Sequence, residues 1–145
     1  GQSECLVTPL QAANLVAVFA NQGYLPTPYI VKAVGGVDLS SRKRKAVYAG
    51  LKKNTLEVVA SGLRRVVSDS KGTGNVLSSL PVKVAGKTGT AQVSRGSTHA
   101  WFAGYFPQAK PKYVICVFLE NGGPGYAACV VAKQIIEEMN TQGLI

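Results

Sequence analysis

Apolar residues recur at helical spacing near the start of the chain. The segment 8–23 opens with Thr8 and Pro9, carries Gln11 at the third position after Thr8, and runs through mostly apolar residues to Gly23. Thr8 predicts an N-cap, Gln11 a capping box and Gly23 the end of the helix. Since its polar positions form one narrow stripe, we expect this first helix to lie in the core.

A second amphipathic helix is predicted from about Asn54 to Ser68, where apolar residues return at every third or fourth position. Asn54 together with Glu57 predicts its N-terminal cap. Gly72 stands where a helix terminator is expected, in the glycine-containing stretch "SKGTGN".

Three strand-like runs follow over 82–90, 99–106 and 113–120, and the last two are apolar at almost every position. Short connections favour adjacent antiparallel pairing. A final amphipathic helix is indicated over 128–139. This order predicts an α/β fold of the α+β kind, in which helices flank an antiparallel sheet.

Composition limits the kind of protein without naming a function. At 145 residues, 46% of them hydrophobic and 16% charged, the chain has the size and composition of one folded domain. Its net charge of +9 is densest over 41–45, "SRKRK". Because the cations do not alternate with aromatic residues and no nucleic-acid motif occurs, a solvated basic loop is favoured over nucleic-acid binding.

The three cysteines are odd in number and lack CxxC spacing, which disfavours a disulfide framework and a zinc site. Cys116 and Cys129 lie in apolar runs and are interpreted as buried free thiols. His99, the single histidine, opens an apolar strand without a carboxylate nearby in sequence, so a structural role is favoured over a general base. We expect neither a metal nor a cofactor.

The stretch "AGKTGTAQ", residues 85–92, places a lysine and two threonines among glycines. Gly86, Lys87 and Thr88 match the end of a P-loop, but Pro81 stands where that loop needs its first glycine. The alternative is the KTG box of penicillin-binding proteins and class A β-lactamases.

Three stretches decide between these alternatives: "GQSECLVTPLQAANLVAVFANQG", "VAGKTGTAQV" and "HAWFAGYFP", in that order and before a strand and a helix. Together they resemble the C-terminal part of the transpeptidase domain of class B penicillin-binding proteins, most like the elongation-type members. The resemblance covers essentially the whole chain, 1–145. It departs from the family at Ser3, where a second glycine is usual.

The resemblance implies a partial β-lactamase-like transpeptidase fold, with the KTG strand lining the active-site cleft. Lys87 would set the electrostatics of the cleft and help handle the proton or carboxylate. Thr88 and Thr90 would offer hydroxyls to the substrate carboxylate, which β-lactams mimic. Gly89 would let backbone approach the ligand, and the Thr90 amide would donate to the oxyanion. Lys87 and Thr90 are thus the predicted catalytic residues, and Thr88, Gly89 and Thr90 the predicted substrate contacts.

The implied reaction is serine acyl transfer from the D-Ala-D-Ala of a peptidoglycan stem peptide. The family's nucleophilic serine and SxN box lie upstream of KTG, and we expect this chain to lack them. Two SxxK matches occur, Ser40 to Lys43 in a basic loop and Ser68 to Lys71 where a helix ends. Neither is expected to be the nucleophile, so the segment alone is predicted to be inactive.

By resemblance, the intact protein would be anchored in the cytoplasmic membrane, with this domain on the periplasmic side beside a membrane glycan polymerase. An alternative is a self-standing binding module for cell-wall or another anionic polymer. We also expect self-association if "HAWFAGYFP" and "YVICVFLE" leave an apolar face uncovered.

Overall fold

The computed structural model describes residues 6–39, 46–93 and 96–145. Three α-helices, a 3-10 turn and seven strands follow one another in these residues. In chain order they are α1 (Pro9–Ala20), β1 (Tyr24–Leu25), β2 (Ala33–Val34), β3 (Val37–Asp38), β4 (Val47–Tyr48), α2 (Lys53–Ser68), the 3-10 turn (Asn75–Ser79), β5 (Ala85–Gln92), β6 (Thr98–Phe106), β7 (Tyr113–Leu119) and α3 (Gly125–Thr141).

The main sheet has the order β5-β6-β7, with both neighbouring pairs antiparallel. The predicted strands and their adjacent antiparallel pairing are therefore confirmed, apart from the bounds of the first strand. That strand runs from Ala85 to Gln92, so it begins three residues later and ends two residues later than predicted. Residues 80–82 form a bend ahead of the pairing. Two short two-stranded antiparallel sheets, β1 with β4 and the hairpin of β2 with β3, lie outside this sheet.

Helices cover both faces of the main sheet. On one face, Val16 of α1 and Leu63 of α2 pack with Ala85 and Tyr105. On the other face, α3 packs its small residues, Ala128 among them, against a core that extends to the 3-10 turn. The predicted class, an antiparallel sheet flanked by helices, is confirmed.

The first helix has the predicted N-terminus. The Thr8 backbone N–H donates to Gln11 Oε1 at 2.8 Å, and the Gln11 N–H donates to Thr8 Oγ1 at 3.2 Å. Gly23 follows the end of the helix with a φ of 98°. The expectation of a core helix holds for one side only, because Leu10 and Leu15 are 60% and 64% exposed.

The second helix begins differently from the prediction. Lys52 is the N-cap residue and provides no side-chain cap, whereas Asn54 already lies in the first turn. The predicted Asn54–Glu57 cap is therefore wrong, because a capping side chain has to come from the extended residue before the helix. The C-cap is Asp69, and Gly72 lies beyond it, where a Cβ would stand 2.3 Å from the Val66 carbonyl oxygen. Gly72 thus permits a close return of the chain.

The expectation of an uncovered apolar face on β6 and β7 is wrong for the face beneath α3. Phe102, Phe106 and Val117 are exposed by no more than 7% because α3 lies over them. On the opposite face of β7, Val114 is exposed, and further large apolar side chains are exposed on the three helices and around the two short sheets. Within the described residues, no helix combines the length and the apolar character needed to cross a lipid bilayer.

Candidate active site

The KTGT sequence lies on strand β5, which pairs only with β6 among the described strands. The other edge of β5 is therefore an open edge of the sheet. Gly86 and Ala85 are buried at the start of the strand, whereas Lys87 and Thr90 are exposed and Thr88 is half-buried. The polar side chains thus appear where the strand leaves the core.

Strand geometry separates the four residues into two pairs. Since side chains alternate along a strand, Thr88 and Thr90 point to one face and Lys87 and Gly89 to the other. Thr88 is paired with Phe102, on the face that α3 covers, and Gly89 is paired with Trp101. The two predicted carboxylate-binding hydroxyls therefore lie on the same side of the strand.

The ammonium group of Lys87 returns to the strand edge. Its Nζ donates a hydrogen bond to the Thr88 carbonyl oxygen at 2.8 Å. The three ion pairs among the described residues join side chains four positions apart on α2, at its end, and on α3: Lys53–Glu57, Arg65–Asp69 and Lys133–Glu137. The charge of Lys87 therefore lies at the edge beside the threonines, and no described carboxylate is within ion-pair distance of it.

The side chain of Thr88 meets a residue that the sequence did not single out. Thr88 Oγ1 lies 2.7 Å from Thr73 Oγ1, a hydrogen bond in which either hydroxyl can donate. Thr73 belongs to the turn after α2, fifteen residues earlier in the chain. The sheet edge and the end of α2 are joined by this contact.

Thr90 and Gly89 contact the beginning of α3. Thr90 Oγ1 accepts a hydrogen bond from the Gly125 N–H at 3.0 Å, so it satisfies one of the amides that a helix leaves unpaired at its N-terminus. A Cβ on Gly125 would stand 2.6 Å from the Gly89 carbonyl oxygen. Only glycine allows the helix to approach the KTGT strand so closely.

The Thr90 hydroxyl is thus an acceptor within the fold, a contact that the sequence did not predict. In this bond the Thr90 oxygen accepts from the Gly125 N–H. The positive end of the α3 dipole points at the same oxygen. This arrangement favours negative charge near Thr90.

The two cysteine thiols near the sheet are neutral structural groups. Burial raises the pKa of the Cys129 thiol to about 11, while the charge of Lys87 acts in the opposite direction. Burial also raises the pKa of Cys116. Both thiols are free, as predicted, with Cys129 buried and Cys116 half-buried. At neutral pH neither forms a thiolate nucleophile.

His99 has the structural surroundings that the sequence predicted. Its Nδ1 accepts a hydrogen bond from the Asn121 N–H at 3.0 Å, and its ring meets Phe118 edge-on at 5.2 Å between centroids. Trp101 packs on the same Phe118 ring at 4.4 Å between centroids. These contacts tie β6 to β7 beside the KTGT strand.

The SxxK match at Ser68 does not form a nucleophile and base pair. Ser68 is the last residue of α2, and Lys71 lies in the following turn, where its N–H donates to Asp69 Oδ1 at 2.9 Å. Because the helix has ended, Lys71 is not placed one helical turn beyond Ser68 on the same face. The other match, Ser40 to Lys43, falls outside the described residues, as do the basic run 41–45 and Cys5.

Thr73 and Gly125 are neighbours of the site that the sequence patterns did not predict. Thr73 lies in "SKGTGN", which indicated only a helix end, and Gly125 lies in "NGGPG", which indicated only a turn. A threonine between two glycines is the one local signal for Thr73, since such turns often bring a side chain close to another backbone. Gly125 gives no comparable signal.

Comparison with known proteins identifies the family of the chain. The family model of the penicillin-binding protein transpeptidase domain matches residues 1–140. The chain is 33% identical over 166 aligned positions to the peptidoglycan D,D-transpeptidase MrdA of Haemophilus influenzae, covering 99% of this chain and 25% of that protein.

Two solved structures have the same fold. Penicillin-binding protein PBP2 of Helicobacter pylori matches with a TM-score of 0.83 and 28% identity, over 100% of this chain and 26% of that one. Penicillin-binding protein A of Mycobacterium tuberculosis, solved as an imipenem acyl-enzyme complex, matches with a TM-score of 0.79 and 26% identity, over 94% of this chain and 32% of that one.

The chain belongs to the penicillin-binding protein transpeptidase family, and its relatives place it among the class B proteins. The resemblance seen in the sequence is confirmed. The chain spans about a quarter of the length of the Haemophilus relative.

Proposed function

We propose that this chain is the C-terminal portion of the transpeptidase domain of a peptidoglycan D,D-transpeptidase, and that strand β5 forms one wall of its active site. The observation that carries the proposal is the grouping at the open edge of β5. There, a lysine without a described carboxylate partner lies beside two threonines whose side chains share one face. A D-Ala-D-Ala terminus presents the carboxylate that such a wall would bind.

Each residue of the wall has a distinct role in this proposal. Lys87 supplies positive charge to the cleft, and the hydroxyls of Thr88 and Thr90 donate hydrogen bonds to the substrate carboxylate. Gly89 has no Cβ, which lets the strand backbone approach the ligand. The Thr90 N–H points to the same edge as the Thr88 carbonyl, because residues two apart have the same orientation in a strand.

That Thr90 amide is the proposed donor to the oxyanion of the tetrahedral intermediate. Loss of one such donor costs on the order of 100- to 1000-fold in rate. The reaction itself is acyl transfer: a serine attacks the penultimate D-Ala carbonyl, D-Ala leaves, and the amine of a neighbouring stem peptide resolves the acyl-enzyme. β-Lactams would acylate the same serine.

The nucleophilic serine belongs, in this proposal, to a part of the parent protein outside this chain. The poor geometry of Ser68 and Lys71 supports this view, since Lys71 lies in a turn beyond the end of α2. The segment alone would then bind weakly and not catalyse. The intact protein would be anchored in the cytoplasmic membrane, act on the periplasmic side, and work with a membrane glycan polymerase.

The second candidate is a self-standing module that binds cell-wall or another anionic polymer. The net charge of +9 favours it, because general attraction to polyanions needs no nucleophile. The two candidates differ in how they depend on salt and on ligand structure. Polymer binding through many charges weakens steeply as salt rises, whereas a single carboxylate pocket depends mainly on the presence of that carboxylate.

The first experiment is the intact mass of the chain after incubation with excess benzylpenicillin. We expect no change, because the proposed nucleophile is not in this segment. A stoichiometric adduct would contradict the predicted inactivity, and peptide mapping would then identify the serine that carries it.

The carboxylate site is tested separately by NMR titration of the isotopically labelled chain with N-acetyl-D-Ala-D-Ala and with its methyl ester. Shifts centred on Lys87 to Thr90 with the free acid, and much weaker shifts with the ester, are expected. Thr88→Val should remove this preference for the acid, whereas Ser79→Ala, which deletes a hydroxyl bonded locally to the Val76 carbonyl, should retain it. Equal response to acid and ester would overturn the proposed wall.

A further inference from the structure

We propose that Thr73 is a positioning residue for Thr88 and that it fixes the direction in which the Thr88 hydroxyl donates. This inference rests on the proposed function of β5 as a carboxylate-binding wall. Thr73 is not part of the KTGT sequence, and the turn that carries it follows a different element, α2. The two hydroxyl oxygens, Thr73 Oγ1 and Thr88 Oγ1, lie 2.7 Å apart.

Proton counting sets the direction of this hydrogen bond when a carboxylate is bound. A threonine hydroxyl has one proton to donate, and an ionised carboxylate can only accept. If Thr88 donates to the carboxylate, the bond between the threonines needs Thr73 as donor and Thr88 as acceptor. The result is a chain from Thr73 through Thr88 to the ligand, and such chains polarise each successive donor.

The turn around Thr73 is built to hold it in place. The Asn75 N–H donates to the Gly72 carbonyl at 3.0 Å, which closes a tight turn with Thr73 at its corner. The Asn75 side chain also donates to the Asp69 carbonyl at 2.9 Å, at the end of α2. Gly72 lies against the Val66 carbonyl so closely that no Cβ would fit. The hydroxyl of Thr73 is therefore presented by a constrained backbone.

The bond to Thr73 also limits the rotation of Thr88. Thr88 lies next to the strand edge and is only half-buried, so packing alone allows its hydroxyl to point in more than one direction. A fixed partner at 2.7 Å selects one of them. Thr90 receives a comparable constraint from the Gly125 N–H, so each hydroxyl of the wall is oriented by a separate element.

The first test needs no ligand. Three-bond couplings that report the χ1 angle of Thr88 are measured by NMR in the unaltered chain and in Thr73→Val, which keeps the shape of threonine and removes the hydroxyl. We expect a single Thr88 rotamer in the unaltered chain and averaged couplings in Thr73→Val. Thr73→Ser, which restores a hydroxyl, should restore the single rotamer.

A matched control removes a threonine hydroxyl elsewhere. Thr141 Oγ1 donates to the Glu137 carbonyl at the end of α3, so Thr141→Val loses a hydrogen bond of the same kind away from the site. It should leave the Thr88 couplings unchanged. If Thr88 keeps one rotamer in Thr73→Val, or is averaged already in the unaltered chain, Thr73 does not position it and the inference is wrong.

The second test uses the preference of the chain for N-acetyl-D-Ala-D-Ala over its methyl ester. Thr73→Val should reduce this preference roughly 3- to 10-fold, as expected for one hydrogen bond, and Thr73→Ser should recover most of it. In the double variant with Thr88→Val, the loss should not exceed that of Thr88→Val alone, because Thr73 acts through Thr88.

The two proposals fail in different ways. If the unaltered chain shows no preference for the acid, the proposed wall fails, and the role of Thr73 in carboxylate binding fails with it. If Thr88→Val removes the preference while Thr73→Val leaves it intact, the wall stands and only the positioning role is wrong. Additive losses in the double variant would show that Thr73 contacts the ligand independently, which also contradicts the inference.

Discussion

At the scale of single residues, the contact between Gly125 and Gly89 sets how closely α3 approaches the KTGT strand. Gly125→Ala should place a Cβ against the Gly89 carbonyl and lengthen the hydrogen bond from the Gly125 N–H to Thr90. We expect a loss of about 1 to 3 kcal/mol in the free energy of unfolding, as for other overpacked sites. Urea denaturation followed by circular dichroism measures it.

Gly62 provides the matched control. It lies on α2 with nothing within 4 Å of an added Cβ, so Gly62→Ala should stabilise the chain by about 0.5 to 1 kcal/mol through helix propensity. If Gly125→Ala were as stable as Gly62→Ala, α3 would not be held against strand β5 as described.

At the scale of residues, the sequence predicted the members of the KTGT motif but not their distant neighbours. Lys87, Thr88 and Thr90 follow one another, so a motif places them together at a strand edge. Thr73 and Gly125 reach the threonines across fifteen and thirty-five residues, respectively. Contacts of that range depend on how the turn after α2 and the start of α3 pack on the sheet, which no local pattern specifies.

At the scale of elements, the capping box of α1 is the clearest local signal. Thr8→Ala removes the side-chain acceptor for the Gln11 N–H and should lower the free energy of unfolding by about 1 kcal/mol. Asn54→Ala is the paired variant on α2. Because Lys52 is the N-cap there, Asn54→Ala should change stability little, and helix propensity favours the alanine.

Chemical denaturation of both variants tests this contrast. If Asn54→Ala lowered the free energy of unfolding as much as Thr8→Ala, Asn54 would be the N-cap of α2, as the sequence pattern predicted. The pattern erred because Asn54 and Glu57 have the right spacing for a capping box, while the backbone enters the helix earlier, at Lys53. Spacing alone does not determine which residue takes the extended N-cap conformation.

At the scale of the whole molecule, the alternation of apolar runs was enough to predict the sheet order and the helices on its faces. It did not predict which helix covers each face of the sheet, or how completely. The apolar strands β6 and β7 are buried by α3 on one side and only partly covered by α1 on the other, where Val114 is exposed, and the outward side of α1 leaves Leu15 exposed. Such partitioning follows from the relative placement of helices, which depends on long-range packing.

The buried thiol of Cys129 predicts how the stability of the whole chain changes at alkaline pH. Its pKa is raised from 9.0 to about 11, so between these values the folded state keeps a proton that the unfolded state has lost. The folded state therefore binds more protons, and its stability falls as the pH rises through this window. For a fully buried thiol, the loss is on the order of 2 kcal/mol.

Cys129→Ala isolates this effect from the lysines and tyrosines that titrate in the same range. Its cavity lowers stability at every pH, but the stability gap to the unaltered chain should shrink by about 2 kcal/mol between pH 9 and 11, because only the unaltered chain has the buried thiol. Urea midpoints across that range measure the gap. A constant gap would mean that Cys129 ionises equally easily in the folded and unfolded chains, and it would contradict the effect expected from complete burial of this thiol between α3 and the sheet.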